Sequence, residues 1–235
     1  MTRIVLFLVL IAGLAACGEP PTEPEFFPLN DGWRWTYTVT EDRPEGTTVR
    51  QFTEENLAPE EVDGNRVVPR RTSDGTVYYI RHDESGLARI AKRSRVQPQP
   101  VRDPEPRMVL AAPFTKGTGW GYATPIFLMQ RQRPESTDRQ RLLHEGPVVM
   151  NFVIEQTGVT VAVPAGRFEE CLKVVGQAQK TLFADPDQGF VDVPITQNEW
   201  YCKGVGLVRL ERLERLNSQF YKGGTMTFDL TRLEK

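Results

Sequence analysis

The feature that most constrains this chain is a steady alternation of short β-type runs and turn signals from Phe26 to the C-terminus. Trp33, Trp35, Tyr37 and Val39 share one face of an extended segment, because successive strand side chains point to opposite sides. Residues 225–233 alternate in the same way, with Met226, Phe228 and Leu230 opposite the threonines. Residues 77–80, 148–154, 159–163 and 204–210 are rich in β-branched or aromatic side chains. Asp63-Gly64-Asn65, Ser73-Asp74-Gly75, Glu84-Ser85-Gly86, Pro164-Ala165-Gly166 and Lys222-Gly223-Gly224 separate such runs with turn chemistry. Many short strands with tight connections predict a mostly β protein, a curved antiparallel sheet or half-barrel. Residues 93–107, with Pro98, Pro100, Pro104 and Pro106, read as a loop crossing between two halves. Residues 130–145 are polar and read as either an exposed loop or one short helix.

The first residues give an address. Arg3 precedes an apolar run that ends in Leu14-Ala15-Ala16-Cys17, the pattern of an export signal. The run is shorter than the roughly 20 residues of a comfortable membrane span. Leu-Ala-Ala-Cys resembles the lipobox of bacterial lipoproteins, whose cysteine is acylated and becomes the mature N-terminus. That resemblance implies lipidation at Cys17 and retention on a membrane. Residues 18–25 are rich in Pro and Glu and read as a tether. In enterobacterial-type sorting, Gly18 in place of Asp implies the outer membrane, facing the periplasm. The organisation expected is a signal peptide over 1–16, a lipidated tether over 17–25 and one β-rich domain over 26–235.

Without residues 1–16 the chain keeps 28 basic and 31 acidic residues, a balance of −3. Interspersed charges near neutrality argue against nucleic acid as a partner. Cys171 and Cys202 remain in a disulfide-permissive compartment. If residues 185–188 close a hairpin, paired positions sum to 373 and Cys171 stands opposite Cys202. If Ala184 and Gly189 form the bonded pair at the loop, the cysteines fall at a non-bonded pair, and so does Pro194 opposite Gln179, where its missing N–H is harmless on that side. The alternative is a buried Cys171 thiol beside a free Cys202.

A pattern Pro-[Leu/Phe]-x-x-Gly-x-x-Trp-x-Tyr occurs twice, at Pro28, Leu29, Gly32, Trp35, Tyr37 and at Pro113, Phe114, Gly117, Trp120, Tyr122. Either Trp35, Tyr37, Trp120 and Tyr122 line a common cavity, or both copies are turn-to-strand junctions whose aromatics fill the core. A duplicated ancestor would make the domain two pseudo-repeated halves.

Residues 27–37, 161–171 and 200–208 together resemble a group of bacterial lipoproteins without assigned chemistry. That group carries Phe-Pro-Leu-x-x-Gly-x-x-Trp-x-Tyr, Val-x-Val-Pro-Ala-Gly-x-Phe-x-x-Cys and Trp-Tyr-x-x-Gly-Val-Gly-Leu-Val segments. The resemblance implies a curved antiparallel sheet, distantly similar in architecture to the lipoprotein carriers LolA and LolB. Cys202 departs from the small residue common in that group.

Catalytic signatures are absent. His82 and His144 stand in no metal-spaced cluster, and neither a nucleophile elbow nor a phosphate or dinucleotide loop occurs. Residues 185–189 superficially resemble a calcium loop but lack its ligand ladder, and read as a hairpin tip. Glu54-Glu55 and Glu60-Glu61 read as solvated acidic pairs on loops. No metal, cofactor or catalytic residue is expected. The leading expectation is a non-enzymatic envelope lipoprotein that binds an apolar ligand or an envelope protein on a concave β surface. A structural component pairing through a sheet edge is the alternative, with a cryptic hydrolase behind it.

Overall fold

A computed structural model of the chain describes residues 25–131 and 146–235. It contains β1 (Arg34–Arg43), β2 (Gly46–Asn56), β3 (Glu60–Val62), β4 (Asn65–Thr72), β5 (Val77–Asp83), β6 (Gly86–Arg93) and β7 (Val101–Ala111). The second half supplies β8 (Gly119–Thr124), β9 (Gln130–Arg131), β10 (Val148–Val163), β11 (Gly166–Asp185), β12 (Gly189–Cys202), β13 (Gly206–Asn217) and β14 (Tyr221–Glu234). The sheet runs β7-β6-β5-β4-β2-β1-β14-β13-β12-β11-β10-β8, with β3 beside β4 and β9 beside β14. All pairings are antiparallel, as the short turns require. The sheet curls until its edges meet: the Arg107 guanidinium of β7 lies 4.0 Å from the Tyr122 ring of β8. The result is an all-β barrel, nearly closed, with a seam between β7 and β8.

The β11–β12 hairpin pairs Cys171 with Cys202 and Phe183 with Phe190, the register expected from the sum of 373. Gln179 stands opposite Pro194. At the tip a bulge at Ala184 makes Asp185 pair with Gly189, so the turn is one residue shorter than expected. Gly189 takes a positive φ of 68°, which suits a residue without Cβ. The Asp185 carboxylate accepts the backbone N–H groups of Asp187, Gln188 and Gln219. These bonds hold its pKa below the usual carboxylate range.

Three expectations are corrected. Residues 148–154 and 159–163 belong to one strand, β10, because bulges between Ile154 and Val161 absorb the interruption in alternation. The proline-rich residues 101–107 form part of edge strand β7 rather than a crossing loop. Pro104 and Pro106 fall where the β6–β7 register slips between Arg89↔Arg107 and Ala91↔Arg102, so they interrupt no paired position. Glu54 and Glu55 lie in β2, half-buried and ion-paired, not on a solvated loop. Among the described residues there is no helix, and residues 132–145 lie outside them.

The apolar stripes build three core clusters. The largest gathers Phe26, Phe27, Leu87, Leu110, Met150 and Phe152 with their neighbours. A second packs Trp35, Tyr37, Val39, Val208 and Leu230 against Cys171 and Cys202. The third, with Val67, Val77, Tyr79 and Ile90, occupies the other face of β4–β6, since Tyr79 and Ile80 point opposite ways.

Candidate functional site

Strands β12 and β13 direct polar side chains into the barrel at alternate positions. Gln197, Glu199 and Tyr201 are two residues apart on β12, and Arg212 and Glu214 on β13, with Gln197 directly opposite Arg212. All five are buried, and each is paired. Arg212 Nε donates to Glu214 Oε1 at 2.6 Å, Nη1 to Gln197 Oε1 at 2.8 Å, and Nη2 to the Pro125 carbonyl at 3.0 Å. Its guanidinium lies 4.7 Å from the Phe127 ring. Glu214 accepts the backbone N–H groups of Phe127, Leu128 and Met129, with Leu128 at 2.7 Å. Gln197 Nε2 donates to Glu199 Oε1, and the Tyr201 hydroxyl donates to Glu199 Oε2 at 2.7 Å. A continuous chain of bonds therefore links residues 125–129 to Tyr201.

Burial raises the Glu199 pKa, against the hydrogen bonds of Tyr201 and Gln197 and the charges of Arg107 and Arg212. Burial likewise pushes the Tyr201 hydroxyl well above its ordinary value, and Glu199 adds to that shift.

A second polar knot closes one end. Arg70 of β4 lies between the rings of Phe27 and Trp35, at 4.0 and 4.5 Å. Its Nε donates to Asn56 Oδ1 at 2.8 Å and its Nη2 to the Pro28 carbonyl at 2.9 Å. Glu54 stands 3.6 Å from Nη1, its carboxyl raised by burial and lowered in part by Arg70. Phe27 and Pro28 are thereby stitched into the barrel.

The four candidate cavity aromatics are not brought together. Trp35 and Tyr37 are each 1% exposed in the second cluster, donating to the carbonyls of Val205 at 2.7 Å and Leu207 at 2.9 Å. Trp120 and Tyr122 pack on the first cluster, stacked on Phe152 at 5.7 and 4.8 Å. The reading of one cavity shared by both copies is therefore corrected, because the two strands feed different parts of the core. Among the described residues, a pocket beside Arg43 and Arg215 and another beside Arg81 and Arg102 are lined by none of the four. Cys171 and Cys202 form a disulfide. Cys17 lies outside the described residues. Among the described residues, no three His, Cys, Asp or Glu side chains converge as metal ligands.

Sequence reasoning missed the buried polar chain. Its trace is the spacing Gln197-x-Glu199-x-Tyr201 and Arg212-x-Glu214, which a solvated strand face would produce equally well.

Two solved structures resemble the fold. One is a protein assigned as a lipoprotein from Parabacteroides distasonis, 15% identical, with a TM-score of 0.39, covering 91% of this chain and 100% of that one. The other is assigned as an exported protein with a YmcC-like fold, from Bacteroides fragilis, 17% identical, with a TM-score of 0.40, covering 89% of this chain and 99% of that one. No protein-family model and no curated protein matches the sequence.

Proposed function

We propose that this chain is a lipid-anchored protein of the bacterial cell envelope, held through Cys17 on the periplasmic side of the outer membrane, whose barrel is a rigid platform for recognition. The Leu-Ala-Ala-Cys lipobox and Gly18 support the address. The observation that carries the platform reading is the pairing of the buried polar groups inside the barrel. Trp35 and Tyr37 are sealed with their polar atoms paired, and the chain from Glu214 to Tyr201 occupies the wall between β12 and β13. An interior committed in this way offers binding partners its outer surface, and the reading assigns no reaction. Carriage of an apolar ligand within the barrel would require these pairs to open.

The address is tested by Cys17→Ser, which should leave unprocessed precursor and abolish labelling with a fatty-acid probe. Unchanged labelling would refute it. The platform reading expects fatty acids and envelope phospholipids to leave both the melting temperature and the tryptophan fluorescence unchanged. A saturable shift in either would return the carrier reading to the front.

A further inference from the structure

We propose that the outer face of β8, β10, β11 and β12 is a contact surface for a second copy of this chain, joined side by side with both barrels pointing the same way. Outward positions follow from the register. Val153, Val175 and Asn198 form one row across the strands, and Asn151, Gln177 and Thr196 the next. Val149 lies beyond, beside Ala123 of β8, and Gln179 lies beside Pro194. Phe183 and Phe190 end the face at the hairpin tip, their centroids 5.4 Å apart.

This face is unusual for a chain in which 26% of residues are charged. Among the described residues its single charge is Asp192, whose carboxylate accepts the Thr181 hydroxyl at 2.5 Å. The Lys173–Glu155 ion pair, 2.6 Å apart, marks one border and Glu211 of β13 another. Exposed apolar side chains stand within it: Phe190 is 76% exposed, Val149 62% and Phe183 42%. Depletion of charge with aromatic enrichment is what separates an interface centre from ordinary surface.

Two observations select a second copy as the occupant. The first is charge. A twofold contact brings the residues on its axis against their own equivalents, and like charges there would repel. A neutral face of Val, Asn, Gln and Thr avoids that, since each amide and hydroxyl both donates and accepts. The second is where the tether leaves. The Glu25 carbonyl accepts the Gly204 N–H at the β12–β13 turn, at 2.6 Å, so the chain enters at the Cys202 end of β12. Phe190 stands at the other end of that strand, roughly 40 Å away at about 3.3 Å per residue. A twofold axis parallel to β11 places both tethers at the same end, where two anchored copies meet in one membrane. That membrane geometry rests on the anchoring reading above; the pairing does not. Four strands and nine residues of length make a face of roughly 500 Å², below the ~800 Å² per partner of a standard stable complex. The dimer is therefore a weak one, favoured by confinement to a surface.

The test is cysteine cross-linking of the full chain in native envelopes, with copper phenanthroline as oxidant. Gln177→Cys, near the proposed axis, should give a disulfide-linked species of doubled mass. Its yield should be at least ten-fold above that of Gln51→Cys, an exposed position on distant β2. Adding Asn151→Lys, a charge at an exposed site that leaves the core intact, should cut the yield at least five-fold. Equal yields from Gln177→Cys and Gln51→Cys would overturn the proposal. So would a cross-linked product of any mass other than double, which would assign the face to a different protein. Fractionation of the same cells reports anchoring separately, so failure of the anchor and failure of the pairing are distinguished.

Discussion

Cys171 and Cys202 face each other across the β11–β12 hairpin with their Cα atoms 4.0 Å apart, and their disulfide closes the end of the hairpin where Glu25 joins the fold. Such proximity belongs to the closely spaced class of antiparallel pair. The bridge lies among Trp35, Val161, Val208 and Leu230, so it staples the hairpin to the second core cluster.

Replacing both cysteines with alanine should cost about 3–4 kcal/mol, because a loop of 31 residues regains its freedom in the unfolded chain. Urea denaturation measures the loss. Thiol labelling of the unreduced, denatured protein should find neither Cys171 nor Cys202 reactive, and two reactive thiols besides Cys17 would exclude the bridge.

Trp35→Ala should cost about 3–5 kcal/mol through loss of buried area and the cavity left behind. Tyr37→Phe keeps the ring but removes the hydroxyl that donates to Leu207, with an expected cost of about 1 kcal/mol. Denaturant midpoints give both values. A larger effect for Tyr37→Phe than for Trp35→Ala would contradict the packing described.

Glu214→Ala should be severe, about 3–5 kcal/mol, since it strands the buried Arg212 and frees three backbone N–H groups of residues 127–129. The paired replacement Arg212→Met with Glu214→Leu removes both charges and should cost less than the single change. Calorimetric melting of the two variants compares them directly.

Glu199 supplies a pH test. Burial raises its carboxyl pKa in the folded state, so the fold binds that proton more tightly than the unfolded chain does. The contribution to stability is complete below the unfolded carboxylate pKa and is lost as pH rises through the raised value. Glu199→Gln removes the titration while keeping an acceptor for Gln197. Its stability relative to the natural protein should therefore be higher at pH 8 than at pH 4, as read from urea midpoints at each pH. A difference independent of pH would refute the raised pKa.

Much of the architecture was legible because strand signals are local. The alternation at 33–39 and 225–233 reappears as β1 and β14, which pair Tyr37 with Leu230 and Val39 with Phe228. The tip at 185–189 set the hairpin register, since a turn propagates its phase along both strands. Residues 101–107 and 155–158 misled because bulges and edge positions tolerate prolines and broken alternation, and only neighbouring strands reveal such sites.

By itself the sequence determined the β class, the positions of most turns and the phase that brings Cys171 to Cys202. These depend on side-chain period and turn chemistry over a few residues. Tertiary structure alone decided that the sheet curls until Arg107 meets Tyr122 and that the two Trp-x-Tyr copies enter different clusters. It also decided that Arg212, Glu214, Gln197 and Glu199 point inward as a paired chain rather than outward into water. The physical reason is that period two assigns residues to faces without naming which face is buried. That choice is made by curvature and by partners far along the chain.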